Sequence, residues 1–312
     1  MTAIQTRPLH IATPLLEAPA MSGPGQTVWL KMEALQPTGS FKNRGVGHAC
    51  TVYAARGARR FVSSSGGNAG IAAAYAGRKL GLPVTVVVPE TVSARALALL
   101  QREQANIVVH GASFQEANEH AQSLLGADAA FIHPFDDPLL WEGHASMIAE
   151  VAASGLRPDA VVLSVGGGGL LCGVVEGLRQ QGWIDVPVIA VETAGAASYA
   201  AALAADEPVT LPAITSIATS LGARKVAQAA FAASRAHPIE SRVVSDRAAV
   251  EACRRFIADQ RVVVEPACGA ALAVAYDGQA LARFSNVLVI VCGGATATIE
   301  QLAQWEQSLP AA

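Results

Sequence analysis

The sequence predicts an α/β fold in which helices cover both faces of parallel sheets. Short runs of Val, Ile and Leu alternate along the 312 residues with Ala-rich segments of ten or more residues. This alternation is typical of right-handed βαβ units. The runs are apolar throughout, as expected for strands that are buried on both faces. Hydrophobic residues make up 52% and charged residues 15%, a composition that excludes a disordered chain.

Nine strands are predicted, and this number in one chain suggests two sheets. A Pro-containing turn before a new helix, at 136–147, predicts a seam between them. The predicted strands are 27–32, 60–64, 84–89, 106–110, 130–134, 160–165, 187–192, 242–246 and 286–291. The clearest predicted helices are 68–81, 93–104, 113–126 and 246–260.

Charge and cysteine usage exclude several classes of protein. The net charge of −3 and the absence of a basic block argue against nucleic-acid binding through phosphate neutralisation. The most apolar stretch, 160–175, holds four glycines and is too short to span a bilayer. We expect no signal peptide at the N-terminus. Five scattered cysteines without a C-x-x-C pair argue against a disulfide framework or a zinc ribbon and favour the cytoplasm.

Three predicted strands end in glycine-rich segments, SSSGGNAG (63–70), SVGGGGLL (164–171) and VCGGATAT (291–298). Ligands of α/β proteins bind where strands end. The four glycines Gly166, Gly167, Gly168 and Gly169 open a predicted helix, where backbone N–H groups can bind a phosphate. A tight turn without a ligand is the simpler alternative.

The glycine run does not identify the cofactor to which such a phosphate would belong. It lacks the G-x-G-x-x-G fingerprint of dinucleotide-binding proteins, yet Glu192 ends the following strand, where a ribose-binding acid would lie. A nicotinamide-dependent oxidoreductase therefore remains an alternative. No Gly-Lys dipeptide occurs, which excludes a Walker-type loop. The loop around Ser65 and Asn68 could bind a carboxylate, or could simply cap its helix.

Lys42 is the lysine whose surroundings suggest chemistry. It follows a Pro, a Gly and an aromatic in PTGSFKNRG, and a desolvated lysine has a lowered pKa and can attack a carbonyl. A solvated lysine at a turn is the alternative. Lys31, by contrast, lies beside Glu33 and is expected to form a structural pair. Two loops that could bind anions, together with such a lysine, suggest pyridoxal phosphate.

The motifs resemble the serine/threonine dehydratase family of fold-type II pyridoxal-phosphate enzymes, and most closely its L-serine dehydratase and serine dehydratase-like branch. They occur in the family's order and spacing. The stretches are LQPTGSFKNRG, SSSGGNAGIAAAYAGRKLG, HPFDDPLLWEGH, SVGGGGLL, VEPACGAALA and VIVCGG. The resemblance implies a tryptophan synthase β-like fold of two three-layer α/β/α domains. The implied large, cofactor-binding domain comprises residues 1–36 and 139–312, and the small domain residues 37–138.

The resemblance also implies site residues. Lys42 would form the Schiff base with the cofactor and remove the substrate's Cα proton. Phe41 would pack on the pyridine ring, Asn68 would bind the ring hydroxyl and Cys292 would meet the ring nitrogen. Gly166 to Gly169 and Leu170 would hold the phosphate. Ser65, Gly66, Gly67, Asn68 and Ala69 would bind the substrate carboxylate. A monovalent cation such as K⁺ would be bound by Gly166, Glu192, Ala196, Ser198, Leu221 and Ala223.

The implied function is that of an L-serine/L-threonine ammonia-lyase, which forms pyruvate or 2-oxobutanoate and ammonia by α,β-elimination. Gly66 occupies the position at which racemases of this fold carry a serine base, so racemisation is disfavoured and a wider site is expected. Elimination or replacement on cysteine or a D-amino acid remains an alternative. A non-catalytic amino-acid-binding protein is another. A cytoplasmic homodimer without a membrane or nucleic-acid partner is expected.

Overall fold

The computed structural model describes residues 7–309, and within them ten strands form two sheets. The larger sheet has the strand order β1-β2-β10-β7-β8-β9 and the smaller β5-β4-β3-β6. The strands are β1 (Leu15–Glu17), β2 (Thr27–Lys31), β3 (Arg60–Ser63), β4 (Val84–Val88), β5 (Asn106–Val109), β6 (Ala129–Phe131), β7 (Ala160–Ser164), β8 (Val188–Thr193), β9 (Ile239–Val244) and β10 (Asn286–Ile290).

Eleven α-helices connect and cover these strands within the same residues. They are α1 (Lys42–Ala55), α2 (Asn68–Leu80), α3 (Ala94–Arg102), α4 (Phe114–Ser123), α5 (Pro138–Ala153), α6 (Gly169–Gln180), α7 (Ser198–Ala205), α8 (Gln228–Ala236), α9 (Asp246–Gln260), α10 (Pro266–Asp277) and α11 (Ile299–Ser308). None of the helices in the described part of the chain is both long and apolar enough to cross a membrane.

The predicted α/β class and its parallel sheets are confirmed, with one correction. All nine predicted strands exist and pair in parallel, but β1 was not predicted and pairs antiparallel with β2 at the edge of the larger sheet. Its three residues, Leu15–Glu17, carry no β-branched side chain, so the local sequence gives no strand signal.

Alternating side chains of the smaller sheet show why it has a helix layer on each face. Phe61 and Val86 pack with α2 in one core cluster, whereas Val62 and Val87 pack with Ala117 of α4 in another. Successive strand residues point to opposite faces, so α2 and α4 cover opposite faces. In the larger sheet, α6 and α10 both pack on β7.

Helix α1 lies between the two sheets, because it packs both on α2 and on α5. Lys42 is its first residue. The strands of the smaller sheet all lie within residues 60–131, inside the predicted small domain. The domain boundaries themselves stay a prediction, and residues 1–6 and 310–312 of the predicted large domain lie outside the described residues.

A buried charge network fixes the start of α1 and corrects the expected pairing of Lys31 with Glu33. Lys31 Nζ instead lies 2.5 Å from Glu150 Oε2, and Glu33 pairs with Arg44 at 2.7 Å. Arg44, two residues after Lys42, also lies 2.6 Å from Glu150. The network therefore ties α1 to β2 and to α5.

Candidate active site

Lys42 has the environment of a chemically active amine. Its Nζ donates a hydrogen bond to the Pro134 carbonyl at 2.5 Å and lies 4.8 Å from the centre of the Phe41 ring. Burial lowers the pKa of Lys42 to about 8, although the nearby Cys292 and Glu265 act in the opposite direction. An amine with this pKa is partly neutral near pH 7, as a nucleophile or base must be.

A pair of backbone contacts brings Cys292 next to Lys42, although 250 residues separate them. The Phe41 N–H donates to the Cys292 carbonyl at 3.1 Å, and the Gly294 N–H donates to the Gly39 carbonyl at 2.9 Å. Gly294 has a φ of +140°, a conformation that only glycine adopts readily. The chain thus turns sharply after β10 and leaves the buried Cys292 thiol beside the start of α1.

The Ser65–Ala69 loop joins β3 to α2, as predicted. The first N–H groups of a helix have no intrahelical acceptor, so the start of α2 at Asn68 presents free donors. A Cβ atom on Gly70 would lie 1.7 Å from the Ser65 carbonyl oxygen, so only glycine permits this approach. A Cβ on Gly66 would lie 3.1 Å from methyl groups of Val88 and Val92. These two side chains border the position at which the sequence predicts a wider site.

Asn68 connects this loop to the larger sheet. Its Oδ1 accepts a hydrogen bond from the Ala295 N–H at 3.0 Å, and its Nδ2 donates to Glu265 Oε1 at 2.8 Å. Glu265 was missed by the sequence analysis, because an acid before a Pro at a helix start looks like an ordinary cap. The structure places it buried among the site residues, where burial raises its pKa to about 7.

The tetraglycine run forms a close-packed turn that leads into α6. A Cβ on Gly167 would lie 2.3 Å from the Phe135 ring, and one on Gly169 would lie 2.6 Å from the Phe135 carbonyl oxygen. Gly168 has a φ of +95° and packs against Ala230. Because α6 begins at Gly169, its unpaired N–H groups lie on this turn. The buried Leu170 follows.

The residues predicted to bind a cation fall into two groups of neighbours. A Cβ on Gly166 would lie 3.0 Å from the Leu221 Cα, and the Ala223 N–H donates to the Leu221 carbonyl at 2.8 Å. Glu192, whose pKa burial raises to about 7, accepts hydrogen bonds from the N–H groups of Tyr199 and Ala200 at 2.8 and 2.7 Å. Ala196 is buried in the same region.

The acidic and histidine residues of 133–144 have structural roles. His133 Nδ1 accepts the Asp136 N–H at 2.7 Å, and Asp137 caps α5 by accepting the Leu139 N–H at 2.9 Å. His144 Nδ1 accepts the Gly45 N–H at 3.2 Å. Among residues 7–309, no group of three or more His, Cys, Asp or Glu side chains could hold a metal.

Comparison with known proteins decides which cofactor this arrangement serves. Residues 6–293 match the family described as pyridoxal-phosphate dependent enzyme. The chain belongs to this family. The membership confirms the predicted fold-type II class and sets aside the nicotinamide alternative. The site also fits that cofactor, because a lysine with a lowered pKa and a glycine cradle of free N–H groups are what a carbonyl-bearing phosphate ester requires.

Named relatives and solved structures are similar along nearly the whole length of this pyridoxal-phosphate dependent enzyme. It is 48% identical over 316 residues to L-serine dehydratase/L-threonine deaminase of Bos taurus, and the alignment covers 97% of each chain. It is 51% identical to serine dehydratase-like of Homo sapiens, over 92% of this chain and 91% of the relative. The structure of a fungal L-serine ammonia-lyase from Rhizomucor miehei superposes with a TM-score of 0.90 at 35% identity, covering 96% of this chain and 99% of the fungal one.

Proposed function

We propose that the chain is a pyridoxal-phosphate-dependent L-serine/L-threonine ammonia-lyase that releases pyruvate or 2-oxobutanoate together with ammonia. The observation that carries the proposal is the position of Lys42, whose amine has a lowered pKa and is linked through one neighbour to each anion-binding loop. Its Nζ binds the Pro134 carbonyl, next to the Phe135 ring that packs on the tetraglycine turn. The charge of Glu265, which binds Asn68, acts on the amine. The names of the bovine relative and of the fungal structure support the choice of amino-acid substrate.

Each side of the site has a distinct role in this proposal. When bound, pyridoxal phosphate withdraws electrons from the substrate's Cα and so favours loss of the β-hydroxyl as water. Lys42 would hold the cofactor through its Nζ, and the same nitrogen would accept the Cα proton as the base. Phe41 would pack on the pyridine ring and Cys292 would meet its nitrogen. The residues that would hold the phosphate are Gly166, Gly167, Gly168, Gly169 and Leu170.

The loop at the start of α2 binds the substrate carboxylate and leaves one face of the substrate without a base. Backbone N–H groups around Gly67 and Ala69 and the Ser65 hydroxyl receive the carboxylate. Asn68 would also donate to the ring hydroxyl of the cofactor. Gly66 has no side chain that could return a proton to the opposite face, which favours elimination over racemisation.

Three finer features belong to the same proposal. A monovalent cation lies near Gly166, Glu192 and Leu221, and the buried Ser198 hydroxyl, which has no hydrogen-bond partner among the described residues, supports a polar ligand there. The protein is a homodimer, which its mass in solution would test. It acts in the cytoplasm, and five buried free cysteines support a reducing compartment.

The Lys42→Ala variant tests the proposal. We expect it to lose the visible absorption that covalently bound pyridoxal phosphate gives, and to lose keto-acid formation from L-serine by at least about a hundredfold, because both the anchor and the base are gone. Absorbance and keto-acid release from L-serine, L-threonine, D-serine and L-cysteine measure both effects and identify the substrate.

The matched control is Lys79→Ala, since Lys79 is an exposed lysine on α2. It should keep the absorption and the rate of the unmodified protein. A Lys42→Ala protein that retains the absorption and the turnover would refute the role of Lys42. An intact absorption without keto-acid release from any of the four amino acids would refute the lyase activity.

A further inference from the structure

Glu265 is a buried acid that none of the proposed reaction steps uses. It precedes α10 and keeps only 6% of its surface exposed. Its side chain lies over the turn after β10, where a Cβ on Gly294 would be 2.4 Å from Glu265 Cγ. Burial of a carboxylate is unfavourable unless it is hydrogen-bonded, and the charge of Lys42 acts on this one.

The contacts of Glu265 fix the orientation of one amide. An asparagine side chain has one acceptor oxygen and one NH₂ donor group. The Ala295 N–H can only donate, so it faces Asn68 Oδ1, at 3.0 Å. Glu265 Oε1 then receives one N–H of Nδ2, at 2.8 Å, and the second N–H of that group is left for a ligand. This contact also joins α2, on the smaller sheet, to α10, on the larger.

Glu265 also borders a small polar cavity. The cavity has a volume of about 20 Å³, enough for a single water molecule. Its polar lining residues are Glu265, Thr219, Ser220 and Thr296, and Trp305 of α11 forms part of its wall. The cavity would admit one water molecule beside the carboxyl group, and such a water could exchange a proton with it.

We propose that Glu265 is a positioning residue that holds the Asn68 amide toward the cofactor and exchanges its proton with water in this cavity. The proposal rests on the proposed function for the identity of the cofactor. The titratable groups that face Glu265 are Lys42, Cys253, whose Sγ donates to the Glu265 carbonyl at 3.3 Å, and Cys292.

The sign of the resulting pH dependence follows from these neighbours. Burial raises the pKa of Glu265 to about 7, while hydrogen bonds from Ser220 and Asn68 and the charge of Lys42 limit the rise. Above this pH the carboxylate is ionised and accepts strongly from the Asn68 amide. Below it the carboxyl group is neutral, this hydrogen bond weakens, and Lys42 loses a nearby negative charge.

The test compares Glu265→Gln with the unmodified protein loaded with pyridoxal phosphate and free of amino acid. Glutamine keeps the size and one acceptor oxygen but cannot ionise. We expect the visible spectrum of the unmodified protein to change with pH with a midpoint near 7, and the spectrum of Glu265→Gln to lack that change. Glu265→Asp, which keeps an ionisable group, should retain a transition. With substrate, kcat of Glu265→Gln should fall about tenfold with a smaller change in KM.

Controls separate this inference from folding and from the proposed activity. Glu207→Gln makes the same chemical change at an exposed position and should leave the spectral titration unaltered. If Glu265→Gln keeps the unmodified titration, or folds but no longer retains the cofactor, the positioning role is wrong. The titration needs no substrate, so the two proposals can fail separately. If Glu265→Gln loses the transition while the unmodified protein releases no keto acid, the positioning role is supported and the lyase activity is refuted. If the unmodified protein releases keto acid while Glu265→Gln keeps the transition, the lyase activity is supported and the positioning role is refuted.

Discussion

Arg44 shows how single residues hold the active lysine in place. It is the largest fully buried side chain among residues 7–309, and it binds Glu33 through two hydrogen bonds of 2.7 and 2.8 Å. It also binds both oxygens of Glu150, at 2.6 and 2.7 Å. Charged groups this deeply buried are tolerated only when their partners are complete. Because Arg44 follows Lys42 by two residues on α1, the network sets the position of the lysine.

Replacement of Arg44 by Met should therefore destabilise the protein by about 3–5 kcal/mol, since it removes the cation that pairs with the buried Glu33 carboxylate. Arg157→Met is the matched control, because Arg157 also binds both oxygens of one acid, Asp185, but at the exposed surface. Arg157→Met should destabilise the protein much less, because solvent screens an exposed ion pair. Denaturant unfolding measures both changes. Equal losses in the two variants would mean that Arg44 contributes no more than a surface ion pair.

At the scale of the elements, the sequence predicted the features that depend on neighbouring residues in the chain. It missed the features that depend on contacts between residues far apart in the chain. Apolar runs and glycine turns identified β3, β7 and the glycine-rich loops that follow them. The edge strand β1 could not be predicted, because its pairing with β2 replaces any local preference. The role of Glu265 was also hidden, since only folding brings it to Asn68. The expected pair of Lys31 with Glu33 was wrong because closeness in sequence does not decide which charges meet inside the fold.

The loop before α6 provides a prediction for an element. Gly168→Ala would place a Cβ 2.3 Å from that of Ala230, at a φ of +95°. We expect it to lose about 1–3 kcal/mol more stability than Gly155→Ala, and to weaken cofactor binding at least about tenfold through displaced N–H donors. Gly155 is the control because its φ is +84° but nothing lies within 4 Å of an added Cβ. Equal losses in both variants would show that backbone strain alone matters. Unfolding and equilibrium dialysis give the two quantities.

At the scale of the whole molecule, the candidate site belongs to neither sheet alone. The Ser65–Ala69 loop follows β3 of the smaller sheet, whereas the tetraglycine turn and the Cys292–Gly294 turn follow β7 and β10 of the larger one. Helix α1 carries Lys42 between them. A single ligand that contacts all three strand ends would hold the two sheets together. The predicted small domain of residues 37–138 and the predicted large domain would thus both contact the cofactor.

Cofactor loading should protect backbone amides on both sheets. At a free pyridoxal-phosphate concentration of one hundred times Kd, binding should stabilise the protein by about 2.7 kcal/mol. Hydrogen exchange should then slow in 65–70, 167–171 and 292–295, because their N–H groups gain a ligand or a fixed neighbour. β9, at the far edge of the larger sheet, serves as the internal reference and should change least. Slower exchange in 167–171 and 292–295 with no change in 65–70 would mean that the cofactor does not bridge the two sheets, and the proposed contact between Asn68 and the ring would then be wrong.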